Sequence, residues 1–270
     1  MSPDVLRFES LGTTCELFGV GIDHVRLAEG RAWIEDMHSR LTRFDAASEL
    51  SRFNGSAGEW VAVSPELESL LRDALRAHDL SGGLVHAAVL GALMAAGYGR
   101  TFAAGPTTVL ETVTPGALPA LPRVLEVTPG AARLRQGFGI DLGGIAKGWL
   151  ADRLASWLGP NCLVNLGGDL YARGAGPSGE GWPVGFGGTT VLLRDRAAAT
   201  SGTHRRAWGE GLHHLVDPRT ERPAETDLVE VSVVAATAAD AEVHAKTALL
   251  LGRAAAPYYL GGCCSGWNLR

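Results

Sequence analysis
The sequence has no excess of positive charge: 24 Lys and Arg stand against 29 Asp and Glu, a formal net charge of −5. With no basic surplus to release counterions from a phosphate backbone, general nucleic-acid binding is excluded. Long apolar runs are missing too, and none approaches the ~20 residues that a membrane helix needs. The opening Met1-Ser2-Pro3-Asp4 has neither a basic run nor an apolar signal core, so a cytoplasmic protein without membrane partners is expected. Cysteine is scarce, with only Cys15, Cys162, Cys263 and Cys264. No C-x-x-C spacing offers a zinc half-site, and immediate neighbours such as Cys263 and Cys264 rarely pair. Reduced thiols are therefore expected.

What is present is an ordinary globular balance. Hydrophobic residues make up 46% and charged residues 20%, which argues against disorder. A chain of 270 residues buries roughly three-quarters of its unfolded surface, so its core needs neither disulfide nor metal. Apolar stripes at helical spacing run through Trp33, Ile34, Met37 and Leu41, and through Leu67, Leu70, Leu71, Ala74 and Leu75. The second begins at Ser64-Pro65-Glu66, a cap followed by proline at the first helical position. A third stripe holds Ile145, Trp149, Leu150 and Leu154, and a fourth lies between Asp240 and Leu251. Val124–Val127 and Ala132–Arg135 flank Pro129-Gly130 and predict a hairpin. Further strands are predicted at Cys162–Leu166, Thr189–Leu193, His213–Val216 and Val229–Ala235. No strict βαβ repeat links them, so the expected class is α+β, mixed sheets with packed helices.

The 36 glycines cluster in Gly137–Gly148 and Gly167–Gly188, where backbones approach ligands or one another. Gly139-Ile140-Asp141-Leu142-Gly143-Gly144-Ile145-Ala146-Lys147-Gly148 reads as a strand ending in Asp141, a glycine turn, and a helix whose first turn carries Lys147. Free N–H groups, a positive dipole end and an ammonium make an anion site, most simply for phosphate or pyrophosphate. A tight connection with a solvated lysine is the plainer alternative. A dinucleotide-binding loop does not fit, because Gly137-Phe138-Gly139 precedes the strand end and Leu142 replaces the third glycine; a Walker A loop is absent. Asn165-Leu166-Gly167-Gly168-Asp169 reads mainly as a turn, although Asp169 has the chemistry of a ligand or base. Thr200, Ser201 and Gly202 offer hydroxyls around a glycine, suited to a phosphate or a ring. His213 and His214 are adjacent, would point to opposite faces of a strand, and would not share one ion. On the last helix Asp240 shares a face with His244, and Glu242 with Lys246.

In order and spacing, these segments resemble those of one family. Leu11-Gly12-Thr13-Thr14, Arg43-Phe44, Ser48-Glu49-Leu50-Ser51-Arg52-Phe53-Asn54 and the Asp141–Gly148 segment come first. Asn165–Asp169, Ala199-Thr200-Ser201-Gly202 and His214-Leu215-Val216-Asp217-Pro218-Arg219-Thr220 follow. Together they resemble the FAD:protein FMN transferases, the ApbE family, over nearly the whole chain to Gly252. The resemblance implies a two-lobed α+β domain over residues 1–252 that takes FAD as donor. It implies transfer of FMN to a threonine or serine hydroxyl of an acceptor flavoprotein (flavinylation), release of AMP, and magnesium bridging the pyrophosphate. Some members instead hydrolyse FAD to FMN and AMP. By the same resemblance Asp141 and Lys147 contact FAD and share catalysis with Glu242, while Gly144 offers a carbonyl to the metal. Phe44 stands for a tyrosine that packs on the flavin ligand, and Leu11 for a pocket methionine. Leu84, Val85, His86, Thr200, Ser201, Gly202 and His214 complete the FAD contacts.

The sequence departs from the family pattern at the metal. That pattern is an Asp, a second Asp three residues on, and a Thr four residues later; Ala239, Glu242 and Lys246 stand there in ungapped register. Sliding the register brings Asp240 and His244 forward at the cost of a gap, so Asp240 joins Glu242 as a candidate ligand. His86 likewise stands where the family commonly has Asp. An ammonium beside a pyrophosphate neutralises charge that a divalent ion would otherwise balance. Lys246 is therefore expected either to replace part of the metal's role or simply to pair with Glu242. A non-catalytic FAD-binding protein, a reservoir or sensor, and an FAD pyrophosphatase remain the alternatives. Residues 253–270, with Gly261-Gly262-Cys263-Cys264-Ser265-Gly266, are expected to form an irregular tail.

Overall fold
Short alternating segments, glycine turns and capped helices set the element order. A computed structural model describes residues 2–109, 116–186 and 188–270; Gly187 of the second glycine cluster lies outside them. The chain opens with β1 (Asp4–Ser10), β2 (Thr13–Gly19), α1 (His24–Leu41) and α2 (Glu49–Asn54). It continues with β3 (Trp60–Ala62), α3 (Pro65–Leu80), α4 (Leu90–Ala95), β4 (Leu125–Thr128), β5 (Ala131–Leu134) and α5 (Ala146–Leu158). Then come β6 (Cys162–Leu166), β7 (Asp169–Arg173), β8 (Trp182–Phe186), β9 (Thr189–Leu193), β10 (Arg196–Gly202), β11 (Ala207–Gly209) and β12 (Leu212–His213). The last elements are β13 (Val216–Asp217), β14 (Arg222–Pro223), β15 (Glu230–Ala235), α6 (Ala238–Gly261) and β16 (Gly266–Leu269). Two units result: Met1–His38 with Ile145–Gly202 and Asp227–Arg270, and Ser39–Gly144 with Thr203–Thr226.

The first unit is built on a seven-stranded sheet in the order β1-β2-β6-β7-β10-β15-β16. Every described pair in it is antiparallel. Both faces of its centre are covered, which is why β6 is apolar at every position but Asn165. Leu163, Leu170, Ala172, Ala198 and Val234 pack on Trp182, Val184 and Leu193 of the β8–β9 hairpin. The other face takes α5 on β6 and β7, and α6 on β10 and β15. Gly148 permits the close approach of α5 to α6: a Cβ there would lie 2.4 Å from the Ala238 carbonyl oxygen. Asp152 of α5 accepts the main-chain N–H groups of Ala238 and Ala239 at 2.7 and 3.0 Å, capping α6 from across the unit.

In the second unit the predicted hairpin forms as β4–β5 with Leu125 opposite Leu134, and β3 extends it along β5. Helix α3 starts as its sequence predicts, Ser64 Oγ accepting the Leu67 N–H at 3.2 Å with Pro65 in the first turn. Its buried stripe is Leu67, Leu70, Leu71, Ala74 and Ala77.

The α+β class is the class observed. Three local expectations are corrected. Gly139–Asp141 forms no strand, because Asn54 takes both main-chain groups of Ile140, accepting its N–H at 2.7 Å and donating Nδ2 to its carbonyl at 2.9 Å. The predicted strand His213–Val216 splits into β12 and β13, since the Leu215 N–H that would join a ladder donates to His213 Nδ1 at 3.3 Å. The C-terminal residues are not irregular. Gly252, at φ 78°, breaks α6, and Asp227 Oδ1 accepts the Arg253 N–H at 2.8 Å to restart it as far as Gly261. β16 then closes the sheet edge on β15 with Trp267 opposite Val233.

Candidate functional site
In the first unit, the N-cap residue of α5, Ile145, provides no side-chain cap, and the first-turn N–H of Gly148 is met instead by Glu242 from α6. Lys147, in that first turn, forms an ion pair with Asp169 at the start of β7. Asp169 is only 2% exposed, so the residue that reads as a turn former is a buried counter-ion. The turn chemistry falls to Asn165 instead, whose Oδ1 accepts the Gly168 N–H at 2.9 Å.

Glu242 of α6, also 2% exposed, accepts the Gly148 N–H on Oε2 at 2.9 Å. Its Oε1 lies 3.7 Å from Lys246 Nζ. Burial raises the proton affinity of the Glu242 carboxyl, Asp169 raises it further, and Lys246 and Lys147 act against both. Two carboxylates and two ammonium groups thus share one electrostatic neighbourhood in which the charges cancel. The Asp240 carboxylate bears on Tyr259 and Cys264. Two residues along a helix means about 200° of rotation, so the slipped register leads away from Glu242. Thr200 Oγ1 is 2.9 Å from Ser232 Oγ, and Ser201 and Gly202 are buried beside it on β10.

Leu11 and Gly12 form the two-residue turn between β1 and β2 with φ 55° and 68°. Both values are left-handed, as a type I′ hairpin requires, and for Leu11 this backbone is strained.

In the second unit, Arg43 Nε meets Asp141 Oδ2 at 2.5 Å, and Asp141 Oδ1 accepts the Gly143 N–H at 2.8 Å. The same guanidinium donates Nη2 to the Tyr98 carbonyl at 2.7 Å and lies 4.2 and 4.7 Å from the ring centres of Phe44 and Tyr98. Tyr98 stacks on Trp208 at 5.1 Å and 25°, and Trp208 Nε1 donates to the Ala96 carbonyl at 2.9 Å. Sequence reasoning found Phe44 and missed Arg43, Tyr98 and Trp208 as one platform. An arginine immediately before the aromatic was the available signal.

His86 is 7% exposed, and both its ring nitrogens are used on main chain: Nδ1 accepts the Ala88 N–H at 3.1 Å and Nε2 pairs with the Pro119 carbonyl at 3.0 Å. Burial pushes its pKa down to about 4, leaving the neutral ring to hold this loop. Val85 is buried beside it, its N–H donated to Ser81 Oγ at 2.8 Å, and Leu84 is half-buried. His213 repeats the arrangement, with Nε2 3.1 Å from the Ala224 carbonyl. His214 is half-buried on the connection that follows, ahead of Asp217. Burial acts to raise the Asp217 carboxyl, but the Arg219 hydrogen bonds at 2.7 to 3.1 Å outweigh it and the net direction is down. Gly144 follows the Asp141 turn at the end of its segment, and Lys147 belongs to the other unit.

A model of the ApbE family matches residues 11–262. Among known proteins, the chain is 32% identical over 261 residues to the FAD:protein FMN transferase of Treponema pallidum, covering 85% of this chain and 72% of that one. It is 28% identical over 280 residues to the FAD:protein FMN transferase of Salmonella typhimurium, covering 92% and 78%. Among solved structures, the ApbE protein of Thermotoga maritima matches with a TM-score of 0.84 at 21% identity, over 99% of this chain and 94% of that one. The flavin transferase ApbE of Vibrio cholerae matches with a TM-score of 0.77 at 22% identity, over 96% and 91%. At such identities the two structures speak to the fold.

Proposed function
Because the chain belongs to the ApbE family, we propose that it is an FAD:protein FMN transferase, moving FMN from FAD to a Thr or Ser hydroxyl of an acceptor protein and releasing AMP. The acceptor oxygen forms a bond to the FMN-side phosphorus, the bridging P–O bond breaks, and the hydroxyl proton leaves to a base. Catalysis of this kind rests on positioning and charge neutralisation. The observation that carries the reading is the set of half-buried Lys147 and Lys246 with buried Asp169 and Glu242 at the first turn of α5. In it Lys147 is the cation proposed to meet the phosphates, and Glu242 is the carboxylate proposed to take the hydroxyl proton. Both Asp141 oxygens already serve Arg43 and Gly143, so Asp141 orders the platform of Arg43, Phe44, Tyr98 and Trp208, which suits a flat ring of FAD. Leu11, Leu84, Val85, Thr200, Ser201, Gly202 and His214 are proposed as further contacts, and His86 as the group that holds its loop.

Magnesium, when bound in such a site, neutralises pyrophosphate charge, and in this unit Glu242 is the donor to consider; Gly144, expected to offer its carbonyl, belongs to the other unit. The donor set fits it poorly. Ala239 has no ligand atom in its side chain, and the Glu242 and Asp169 charges are already balanced by Lys246 and Lys147. FAD binding with weakened metal dependence is part of the same proposal, with Lys246 exchanging its 3.7 Å pairing with Glu242 for the pyrophosphate when FAD binds. A cytoplasmic acceptor belongs to the same proposal, and cell fractionation tests it.

The deciding experiment incubates the protein with FAD and Mg²⁺ and follows AMP with and without an acceptor peptide. AMP only with acceptor, together with a covalently fluorescent peptide, supports the transferase. AMP without acceptor makes the protein a pyrophosphatase. Tight FAD binding without AMP makes it a flavin reservoir or sensor, the reading favoured by the altered metal positions Ala239 and Lys246.

A further inference from the structure
Three ligand-type side chains meet where α6 gives way to β16. One donor atom each of His244, Cys263 and Cys264 lies within 4.8 Å of the other two. The two sulfurs are 3.7 Å apart. On a tetrahedral zinc ion, with bonds of about 2.3 Å to sulfur, two thiolates sit about 3.8 Å from each other. The pair therefore already has the spacing of a chelate.

The backbone holds these groups without help from an ion. Cys263 and Cys264 both donate their N–H to the Leu260 carbonyl, at 3.1 and 2.8 Å, and the Ser265 N–H donates to Val234 at 3.0 Å. The reversal is thus fixed at the helix end and at the sheet edge. His244 is buried on α6, and its Nδ1 lies 2.7 Å from the Tyr259 hydroxyl, whose ring meets the imidazole edge-on at 5.6 Å. The contact with Tyr259 fixes the orientation of the imidazole ring. Cys264 is half-buried and Cys263 exposed, which gives an ion a way in. Asp240, one turn before His244, directs negative charge towards Cys264.

We propose that His244, Cys263 and Cys264 form a binding site for a borderline-soft divalent cation, zinc above all, with water in the fourth position. Binding releases the two thiol protons and ties the end of α6 to the β16 reversal. The donors are sulfur and imidazole, so the site is chemically separate from the carboxylates of Glu242 and Asp169 and does not depend on the transferase reading.

The test uses the full chain, metal-stripped, reduced with a phosphine and free of FAD, titrated with Co²⁺ alone and then with Zn²⁺. One equivalent of cobalt is expected to give sulfur-to-cobalt charge-transfer absorption and strong tetrahedral visible bands, which equimolar zinc erases. Cobalt held by oxygen donors gives no sulfur band, so occupancy at Glu242 reads differently. Cys264→Ser and His244→Gln should each weaken cobalt binding at least tenfold, and Cys162→Ser should leave it unchanged. If His244→Gln does not fold, Cys263→Ser, at an exposed position, provides the comparison. The proposal is overturned if the reduced wild-type chain shows no sulfur band. It is equally overturned if the band survives in the double variant Cys263→Ser/Cys264→Ser, or if the two sulfurs only oxidise to a disulfide in air and never take up cobalt when reduced.

Discussion
Glu242 reaches across from α6 and accepts the N–H of Gly148, in the first turn of α5, at 2.9 Å. One carboxylate thereby fixes the distance between two helices and the position of Lys246. Glu242→Ala removes the acceptor, and a buried N–H left without one costs about 1–3 kcal/mol. Glu242→Gln keeps an acceptor and should unfold in urea close to the wild type, yet release AMP at least tenfold more slowly. Equal loss of stability in both variants would remove this account of the bond.

Lys246 carries the expectation about metal. FAD affinity of the wild type should change little on adding EDTA, whereas Lys246→Met should weaken it by roughly tenfold or more, about 1.4 kcal/mol, in the chelator. Equilibrium dialysis with and without EDTA checks this. A wild-type affinity that collapses with the chelator would refute the substitution of ammonium for ion.

His86 predicts an acid limb in the stability curve. Its folded-state pKa is about 4, against an ordinary 6.5, so on acidification the unfolded chain takes up the proton first. The stabilisation is complete above pH 6.5 and is lost as the pH falls towards 4, by about 3 kcal/mol in all. Urea melts at pH 7, 6, 5 and 4 measure the slope, and His86→Gln should flatten it.

Arg43 links an acid to an aromatic platform. Arg43→Lys keeps the charge but loses the planar fork and its stacking on Phe44 and Tyr98. FAD binding should weaken by about 0.5–2 kcal/mol. Quenching of tryptophan fluorescence on adding FAD provides the titration signal, and Trp208→Phe should reduce it.

Much of this was legible in the sequence where the causes are local. The α3 start at Ser64-Pro65 and the β4–β5 hairpin follow from caps and turn residues within a few positions. The Asp141–Gly148 segment stands out by composition alone. What the sequence concealed depends on partners far along the chain. Asp169 reads as a turn residue until Lys147 is seen beside it, and Arg43 is ordinary until Asp141, Tyr98 and Trp208 surround it. β16 has no strand pattern of its own because its register comes from the free edge of β15.

The buried charge cluster has one further consequence. Lys147 and Lys246 are the only lysines in the sequence. A lysine-specific endoprotease can cut only after them, inside α5 and inside α6, and both side chains are largely enclosed in the folded chain. Cleavage therefore waits for those helices to open, and its rate under native conditions measures the opening free energy of this one region. Proteolysis that yields three fragments would thus act as a local stability gauge for the cluster, and any ligand that seats on it should slow the clock.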